Sequence, residues 1–287
     1  MKTCFQFLVP TVLVVFIFVL DATARLIVYP VGDSITWGTT AAGGYRSPLY
    51  QKLTAAGYNV DMVGSKKDFA DSVLIAAGEQ HHDGHSGWRI LQIDQQIEGW
   101  LQLFEAPDVI LIHIGTNDFG NGASNRNAIQ QLDNLMTKIA LATPASHLIV
   151  TNLLERGGSA NTNIQADFNP FVEAKIARQV ALGRKVSFLD MRAAVPLSDM
   201  PDRLHPNRAG LTKMADAYYK AILKVIDPFE ITSFHLEDVG EMKQASMTWS
   251  SKTDRSYVIQ ISPDASTWSD LPFSFPSGGR TTSRTIS

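Results

Sequence analysis

The sequence predicts an α/β protein: a three-layer α/β/α sandwich around a five-stranded parallel sheet, followed by a small all-β module. Two observations support this fold class. Over residues 25–228, short apolar runs alternate with longer segments whose apolar residues recur at helical spacing, which is typical of parallel strands covered by helices on both faces. From residue 231 onward the apolar residues recur at every second position, which is typical of strands.

The predicted strands of the first region are residues 26–29, 60–63, 109–114, 148–152 and 186–189. The predicted helices are residues 48–56, 88–104, 128–141, 171–182 and 209–226. In sheets of this kind, ligands bind in the crevice beyond the carboxyl ends of the strands. Polar residues that follow a predicted strand are therefore the first candidates for a functional site.

Residues 229–287 form the predicted all-β module. The residues predicted to share a strand face are Ala245, Met247 and Trp249 in ASMTWS, and Tyr257, Ile259 and Ile261 in YVIQIS. SPDAS at 262–266 predicts a turn, and Trp268 is expected, like Trp249, in a strand core. A complete sandwich has roughly 100 residues, so this module is either minimal or cut short.

The first 24 residues predict a cleaved signal peptide. Lys2 supplies a positive charge, residues 5–20 are mostly apolar, and ATA at 22–24 has the small residues of a cleavage site. We therefore expect cleavage after about Ala24 and a secreted protein, extracellular or periplasmic, without a membrane span. An uncleaved membrane anchor is the alternative, although the apolar run is short for a bilayer and contains Pro10.

The composition is that of an ordinary globular protein. Of 287 residues, 45% are hydrophobic and 18% are charged, and the formal net charge is −3. This charge gives no indication of a polyanionic partner such as nucleic acid. The one cysteine, Cys4, lies in the predicted signal peptide, so we expect neither disulfides nor thiolate chemistry in the mature chain.

A serine lies where the first predicted strand gives way to a helix. Gly32 permits a tight turn there, and Ser34 would have its hydroxyl in the crevice and its backbone N–H at the positive end of a helix. Ser34 is therefore a candidate nucleophile. The alternative is a helix N-cap, for which serine is a favoured residue.

Two later segments add the other groups that nucleophilic catalysis needs. Asn117, after the third strand, has an uncharged amide that suits a transient oxyanion, although a turn residue is the alternative. Asp202 precedes His205 by three residues, so its carboxylate can orient the imidazole and leave the other ring nitrogen as a base. A surface histidine beside an acidic loop is the alternative.

Together the segments resemble the SGNH, or GDSL-type, hydrolases. The similar blocks are GDSI at 32–35, GHSGW at 84–88, GTND at 115–118 and DRLHP at 202–206. The resemblance implies that Ser34 is the nucleophile, His205 its base and Asp202 the residue that orients the base. It also implies an oxyanion hole made by the backbone N–H groups of Ser34 and Gly87 and the side chain of Asn117.

Neither a cofactor nor a metal is expected. Three histidines and an aspartate lie between residues 81 and 85, but the loop is glycine-rich and the serine mechanism needs no metal. We expect Asp33 to fix its loop by hydrogen bonding and His113 to be a core residue. Trp37 and Trp88 are candidate substrate-binding residues because aromatic faces suit sugar rings, with packing under the loops as the alternative.

GDSITWG followed by GHSGW resembles secreted carbohydrate esterases, which include acetylxylan esterases. The appended β module is similar to modules that such enzymes carry. We therefore expect a serine esterase that removes acetyl groups from a polysaccharide or oligosaccharide. A lysophospholipase or arylesterase with the same triad is one alternative. A non-catalytic, flavodoxin-like protein that binds a glycan or an anion is another, and the oligomeric state is left open.

Overall fold

The computed structural model describes residues 13–19, 25–120, 125–226, 231–239, 242–250, 256–262, 269–276 and 281–286. The chain divides into two units. The larger consists of Arg25–Thr54 and Val60–Ile226, and the smaller draws on Met1–Ala24, Ala55–Asn59 and Asp227–Ser287. The larger unit thus corresponds to the predicted domain 25–228, apart from one short segment.

The strands up to residue 226 are β1 (Leu13–Val19), β2 (Arg25–Gly32), β3 (Asn59–Met62), β4 (Asp83–Gly84), β5 (Val109–His113), β6 (His147–Thr151) and β7 (Val186–Leu189). The central sheet has the order β3-β2-β5-β6-β7, and β4 pairs with the end of β2. The pairs of β2 with β5, β5 with β6 and β6 with β7 are parallel. The predicted five-stranded sheet is confirmed, and the two-residue β4 extends it.

The chain order explains where a site can form. β2 lies inside the sheet, with β3 on one side and β5 on the other. The connections from β2 and from β5 therefore leave in opposite directions, which opens a crevice at the carboxyl ends of these two strands.

The helices of the described residues are α1 (Ser34–Trp37), α2 (Arg46–Ala55), α3 (Ser72–Ala77), α4 (Ile90–Trp100), α5 (Ala128–Ala142), α6 (Ser159–Asp167), α7 (Asn169–Ala181), α8 (Met191–Ala194) and α9 (Arg208–Ile226). Short 3-10 turns lie at Thr116–Phe119 and Leu197–Asp199. The five predicted helices correspond to α2, α4, α5, α7 and α9. The others are short, or in the case of α6 mostly polar, so their apolar spacing is weak.

The core lies on both faces of the sheet. All five residues of β5 are buried, as parallel strands covered by helices should be. On one face, α4 contributes Ile90, Ile93 and Ile97 to the core. Burying one such side chain contributes roughly 1.5–3 kcal/mol, so this packing holds the strand ends, and the loops that leave them, in place.

The smaller unit contains two antiparallel three-stranded sheets. Its C-terminal strands are β8 (Ile231–Val239), β9 (Met242–Ser250), β10 (Ser256–Ser262), β11 (Ser269–Pro276) and β12 (Thr281–Ile286). The sheet orders are β1-β10-β11 and β12-β9-β8. The rings of Trp249 on β9 and Tyr257 on β10 meet edge to face at 5.6 Å, which joins the two sheets.

The predicted strand faces are confirmed where the structure describes them. The buried residues are Ala245, Met247, Trp249, Tyr257 and Ile259. The side chain of Ile261, residues 263–266 of the predicted turn and Trp268 lie outside the described residues.

Strand β1 falls within the predicted signal peptide. It pairs antiparallel with β10, from Leu13 opposite Ser262 to Val19 opposite Ser256. A run of Val, Ile and Phe has high strand propensity, so it suits an edge of this sheet. The predicted cleavage site near Ala24 lies outside the described residues. Among the residues that are described, no helix is long and apolar enough to span a bilayer.

Candidate active site

Ser34 is the first residue of α1, and one residue, Asp33, separates it from the end of β2. The Asp33 carboxylate accepts the backbone N–H of Ile35 at 3.0 Å, so Asp33 is the N-cap of this helix. The N-cap alternative for Ser34 is therefore wrong, and its hydroxyl is available for another partner. A Cβ at Gly32 would collide with the carbonyl oxygen of His113 and the side chain of Thr36, so the turn requires glycine.

The Ser34 hydroxyl meets the imidazole of His205. Ser34 Oγ lies 2.9 Å from His205 Nε2, and His205 Nδ1 lies 2.6 Å from Asp202 Oδ2. A carboxylate can only accept, so Nδ1 carries the ring proton and Nε2 is free to accept the serine proton. The structure thus brings three residues separated by up to 171 positions into one hydrogen-bonded series.

The turn that contains Asp202 fixes its carboxylate. Oδ1 accepts the backbone N–H groups of Leu204 at 2.9 Å and His205 at 2.6 Å. Partial burial raises the pKa of Asp202, but these bonds and the one to the ring of His205 outweigh it and hold the pKa below its ordinary value. Arg203 adopts the left-handed φ of 60°, a strained conformation, and its carbonyl accepts the N–H of Gly157 at 2.9 Å.

Asn117 lies in the turn that follows β5. Gly115 has a φ of 126°, which permits this sharp exit from the strand. The Asn117 amide donates one N–H to the carbonyl of Trp88 at 2.9 Å. A primary amide has two N–H groups, so the second can serve another acceptor in the crevice.

Gly87 lies in a turn that is tied to the end of β2. His85 donates its backbone N–H to the carbonyl of Gly32 at 2.9 Å, and Trp88 donates to the carbonyl of His85 at 3.1 Å. Gly87 itself is exposed with a φ of 81°. Within the part of the chain that the structure describes, its N–H has no acceptor, as an oxyanion donor requires.

Asp118, the last residue of the third sequence block, binds the start of the helix that follows the second block, a role that the sequence analysis missed. Its side chain is buried, with Oδ2 accepting the N–H of Ile90 at 3.1 Å and Oδ1 accepting from Asn125 at 2.7 Å. Burial raises the pKa of Asp118. The Ile90 bond satisfies the first turn of α4, and with the neighbouring Asn117–Trp88 bond it locks the two loops together.

The sequence analysis also predicted no role for Arg156. Its guanidinium donates to the carbonyl of Thr116 at 3.0 Å, beside Asn117. Burial lowers the pKa of Arg156, while the carboxylates of Asp33 and Asp202 raise it. The residue therefore places a positive charge beside the cluster. No motif surrounds it, so the sequence carried no signal for this contact.

The two candidate tryptophans are both half-buried. Trp37 stacks on Phe69 at 3.9 Å and donates its indole N–H to Asp68 at 3.0 Å. Trp88 stacks on His85 at 4.1 Å. The packing alternative therefore holds for part of each ring, and their contact with substrate stays a prediction.

In the histidine cluster near β4, the side chains of His82 and Asp83 form hydrogen bonds within the fold. His82 Nδ1 accepts the N–H of Gly84 and Nε2 bonds the carbonyl of Asp68, both at 2.9 Å, and burial lowers the pKa of His82 to about 3. Asp83 accepts from the Tyr29 hydroxyl at 2.7 Å. In the described part of the chain, no group of His, Cys, Asp and Glu side chains is arranged to hold a metal ion.

His113 is buried in the sheet, as expected. Its Nδ1 lies 2.7 Å from the Thr151 hydroxyl. Burial lowers the pKa of His113 to about 4, so the ring is neutral at physiological pH.

Fold and site together define a class. A serine, a histidine and a carboxylate form a hydrogen-bonded series beyond the carboxyl end of a strand of a parallel sheet, which is typical of serine hydrolases. The GDSL-like lipase/acylhydrolase family matches residues 31–212, more than half of the sequence. The chain belongs to this family, as the four sequence blocks predicted.

The sequence is also similar to that of a longer protein. A multidomain esterase from Ruminococcus flavefaciens is 29% identical over 226 residues, which are 70% of this chain and 29% of that protein. The chain therefore spans less than a third of the length of that relative.

Solved structures of carbohydrate esterases share the fold. A family 3 carbohydrate esterase from Clostridium thermocellum is 33% identical with a TM-score of 0.59, over 70% of this chain and 98% of that one. A family 3 carbohydrate esterase from Talaromyces cellulolyticus is 25% identical with a TM-score of 0.59, over 71% of this chain and 99% of that one.

Proposed function

We propose that the protein removes acetyl groups from hydroxyls of a polysaccharide or oligosaccharide, through an acyl-enzyme on Ser34. The observation that carries this proposal is the series from Ser34 Oγ through His205 to Asp202, with contacts of 2.9 and 2.6 Å. The similarity to carbohydrate esterases supports the choice of substrate.

In the first step, Ser34 Oγ attacks the ester carbonyl while His205 Nε2 takes its proton. Asp202 stabilises the imidazolium that forms and keeps the proton of Nδ1 in place. His205 then gives its proton to the departing sugar oxygen, and the acetyl group stays on Ser34. In the second step, His205 activates a water that releases acetate and restores the serine.

The tetrahedral intermediate needs donors for its negative oxygen. We assign this role to the backbone N–H groups of Ser34 and Gly87 and the side-chain amide of Asn117. The N–H of Ser34 belongs to the first turn of α1, where helix N–H groups lack helical acceptors. Removing one such donor typically costs about 2.7–4 kcal/mol of transition-state stabilisation.

The domain organisation is part of the proposal. Residues 1–24 act as a signal peptide that is cleaved after about Ala24, which removes strand β1 from the edge of its sheet, so the enzyme is secreted to where polymers occur. Residues 25–228 form the catalytic domain, and 229–287 form an appended β module. N-terminal sequencing of the exported protein tests the first point, with Arg25 as the expected first residue.

A substrate panel tests the activity. Acetate release from acetylated xylan is compared with hydrolysis of lysophosphatidylcholine and of p-nitrophenyl acetate, with Ser34→Ala as the blank. We expect the highest kcat/KM on the acetylated glycan. A preference for the lysophospholipid or the aryl ester would replace the carbohydrate by one of these substrates. No hydrolysis of any ester would favour the binding-protein alternative.

A further inference from the structure

A partly exposed aromatic pair includes Trp37, three residues after the candidate nucleophile. The rings of Trp37 and Phe69 stack at 3.9 Å, and Phe69 is 38% exposed. Phe69 has a φ of 55°, which is a genuine outlier for a bulky residue. Strained backbone conformations cluster at active sites and ligand-binding sites, so the exposed part of this ring is a candidate binding surface.

A buried arginine holds the backbone of both aromatic residues. Arg46 is fully buried and donates to the carbonyls of Thr36, Trp37 and Phe69, each at 3.1 Å. Burial lowers the pKa of Arg46 to about 10. Burying a guanidinium is costly unless its N–H groups are hydrogen-bonded. The bonds of Arg46 meet this need, and they fix the backbone of Trp37 and of Phe69 relative to each other.

The orientation of Trp37 is set by its polar edge. Its indole N–H donates to Asp68 at 3.0 Å, and Asp68 also lies 3.3 Å from the ammonium of Lys66. An apolar surface flanked by a carboxylate and an ammonium can stack against the C–H face of a pyranose ring and hydrogen-bond its hydroxyls.

The pair is tied to the reacting groups. Trp37 follows Ser34 by three residues on α1, so both side chains lie on one face of that turn. The loop after α1 is hydrogen-bonded to the chain at Ser34 and next to His205. Thr39 donates to the carbonyl of Ser34 at 3.2 Å, and Thr40 donates to the carbonyl of Pro206, the residue after His205. The same loop contacts Phe69, whose carbonyl accepts the N–H of Gly43 at 2.8 Å.

We propose that Trp37 and Phe69 form a platform that binds a sugar ring of the substrate next to Ser34 and thereby selects glycan esters over small esters. This inference rests on the proposed carbohydrate esterase function. It assigns Phe69, which no sequence pattern marks, as a specificity-determining residue.

The test uses Phe69→Asn, because asparagine tolerates a positive φ while it removes the ring. The readout is the ratio of kcat/KM on acetylated xylo-oligosaccharide to kcat/KM on p-nitrophenyl acetate. We expect this ratio to fall about tenfold, the loss that one aromatic contact typically causes. Phe69→Tyr should keep the ratio, and Phe171→Ala, at an exposed phenylalanine on α7, is the matched control that should leave both substrates unaffected.

A binding measurement separates this inference from the proposed function. Calorimetric titration with unacetylated xylo-oligosaccharide should show weaker binding by Phe69→Asn than by the wild type. If the wild type binds the sugar but releases no acetate, the proposed function fails and the platform stands. An unchanged ratio together with unchanged binding, or an equal loss on both esters, would overturn the platform.

Discussion

Asp33 is a buried carboxyl group directly beside the candidate nucleophile. Burial raises its pKa to about 6, although the N–H of Ile35 and the charge of His205 act against this. A carboxyl group whose pKa is higher in the folded chain than in the unfolded chain stabilises the fold most at low pH. Its contribution is complete below about pH 4 and is lost as the pH rises through about 6.

Asp33→Asn tests this pH dependence. Asparagine can still accept the Ile35 N–H as an N-cap, but it does not titrate. We expect the free energy of unfolding of the variant, relative to wild type, to rise between pH 4 and 7, because only the wild type loses stability as Asp33 ionises. Urea denaturation at four pH values measures it. A difference that stays constant over this range would contradict the assignment.

Asn117→Ala removes one donor of the proposed oxyanion hole. Because that contact strengthens in the transition state, we expect kcat to fall about 10²–10³-fold with little change in KM. Steady-state kinetics on p-nitrophenyl acetate gives both values, and Asn127→Ala, at an exposed residue before α5, serves as the control. A rise in KM with an unchanged kcat would show that the residue acts in ground-state binding instead.

At this scale the sequence predicted the roles of Ser34 and His205 and missed roles that depend on distant contacts, even for Asp118, which lies in the GTND block. Ser34 and His205 follow from a strand end and from a fixed spacing to a carboxylate. Asp118 bonds a residue 28 positions away, and Arg156 one 40 positions away. No local pattern encodes such partners, since they meet only when the strands pair.

Among the elements, α4 depends on a carboxylate from another loop. Asp118 accepts the N–H of Ile90 at the start of this helix, so Asp118→Ala should cost about 0.5–2 kcal/mol of stability, as lost helix caps do. It should also lower kcat, because the Gly87 turn and Asn117 lose their common anchor. Urea denaturation and kinetics are measured on the same variant.

Glu98→Gln, at an exposed residue of the same helix, is the matched control and should change stability by less than about 0.5 kcal/mol. If Asp118→Ala loses no more than Glu98→Gln and keeps full kcat, then Asp118 does not join the two loops.

The predicted bounds of helices and strands agree with the structure where the local sequence pattern decides them and differ where tertiary contacts do. The strand at Val186–Leu189 was predicted at its observed bounds, whereas the predicted helix 88–104 contracts to Ile90–Trp100. A tertiary contact accounts for the difference at the N-terminal end, because Asn117 binds the Trp88 carbonyl and holds Trp88 outside the helix. The two-residue β4 is too short to show an alternation of apolar residues, so it is recognised only by its pairing with β2.

At the scale of the whole molecule, we expect the larger unit to catalyse ester hydrolysis without the β module. The family match at 31–212 lies inside it apart from residues 55–59, and the Clostridium thermocellum structure is 98% covered by 70% of this chain. We therefore expect residues 25–228 to fold alone and to hydrolyse p-nitrophenyl acetate with a kcat within a few-fold of the longer chain, measured on matched preparations. A truncated chain that aggregates would show that the β module is integral to the fold.

The most direct test of the central claim is labelling with a serine-reactive alkyl phosphonate, followed by mass spectrometry of the peptides. We predict one adduct per chain, on Ser34, formed in step with the loss of esterase activity, and no adduct on Ser34→Ala. Full activity of Ser34→Ala, or inactivation with the adduct on another residue, would contradict the account.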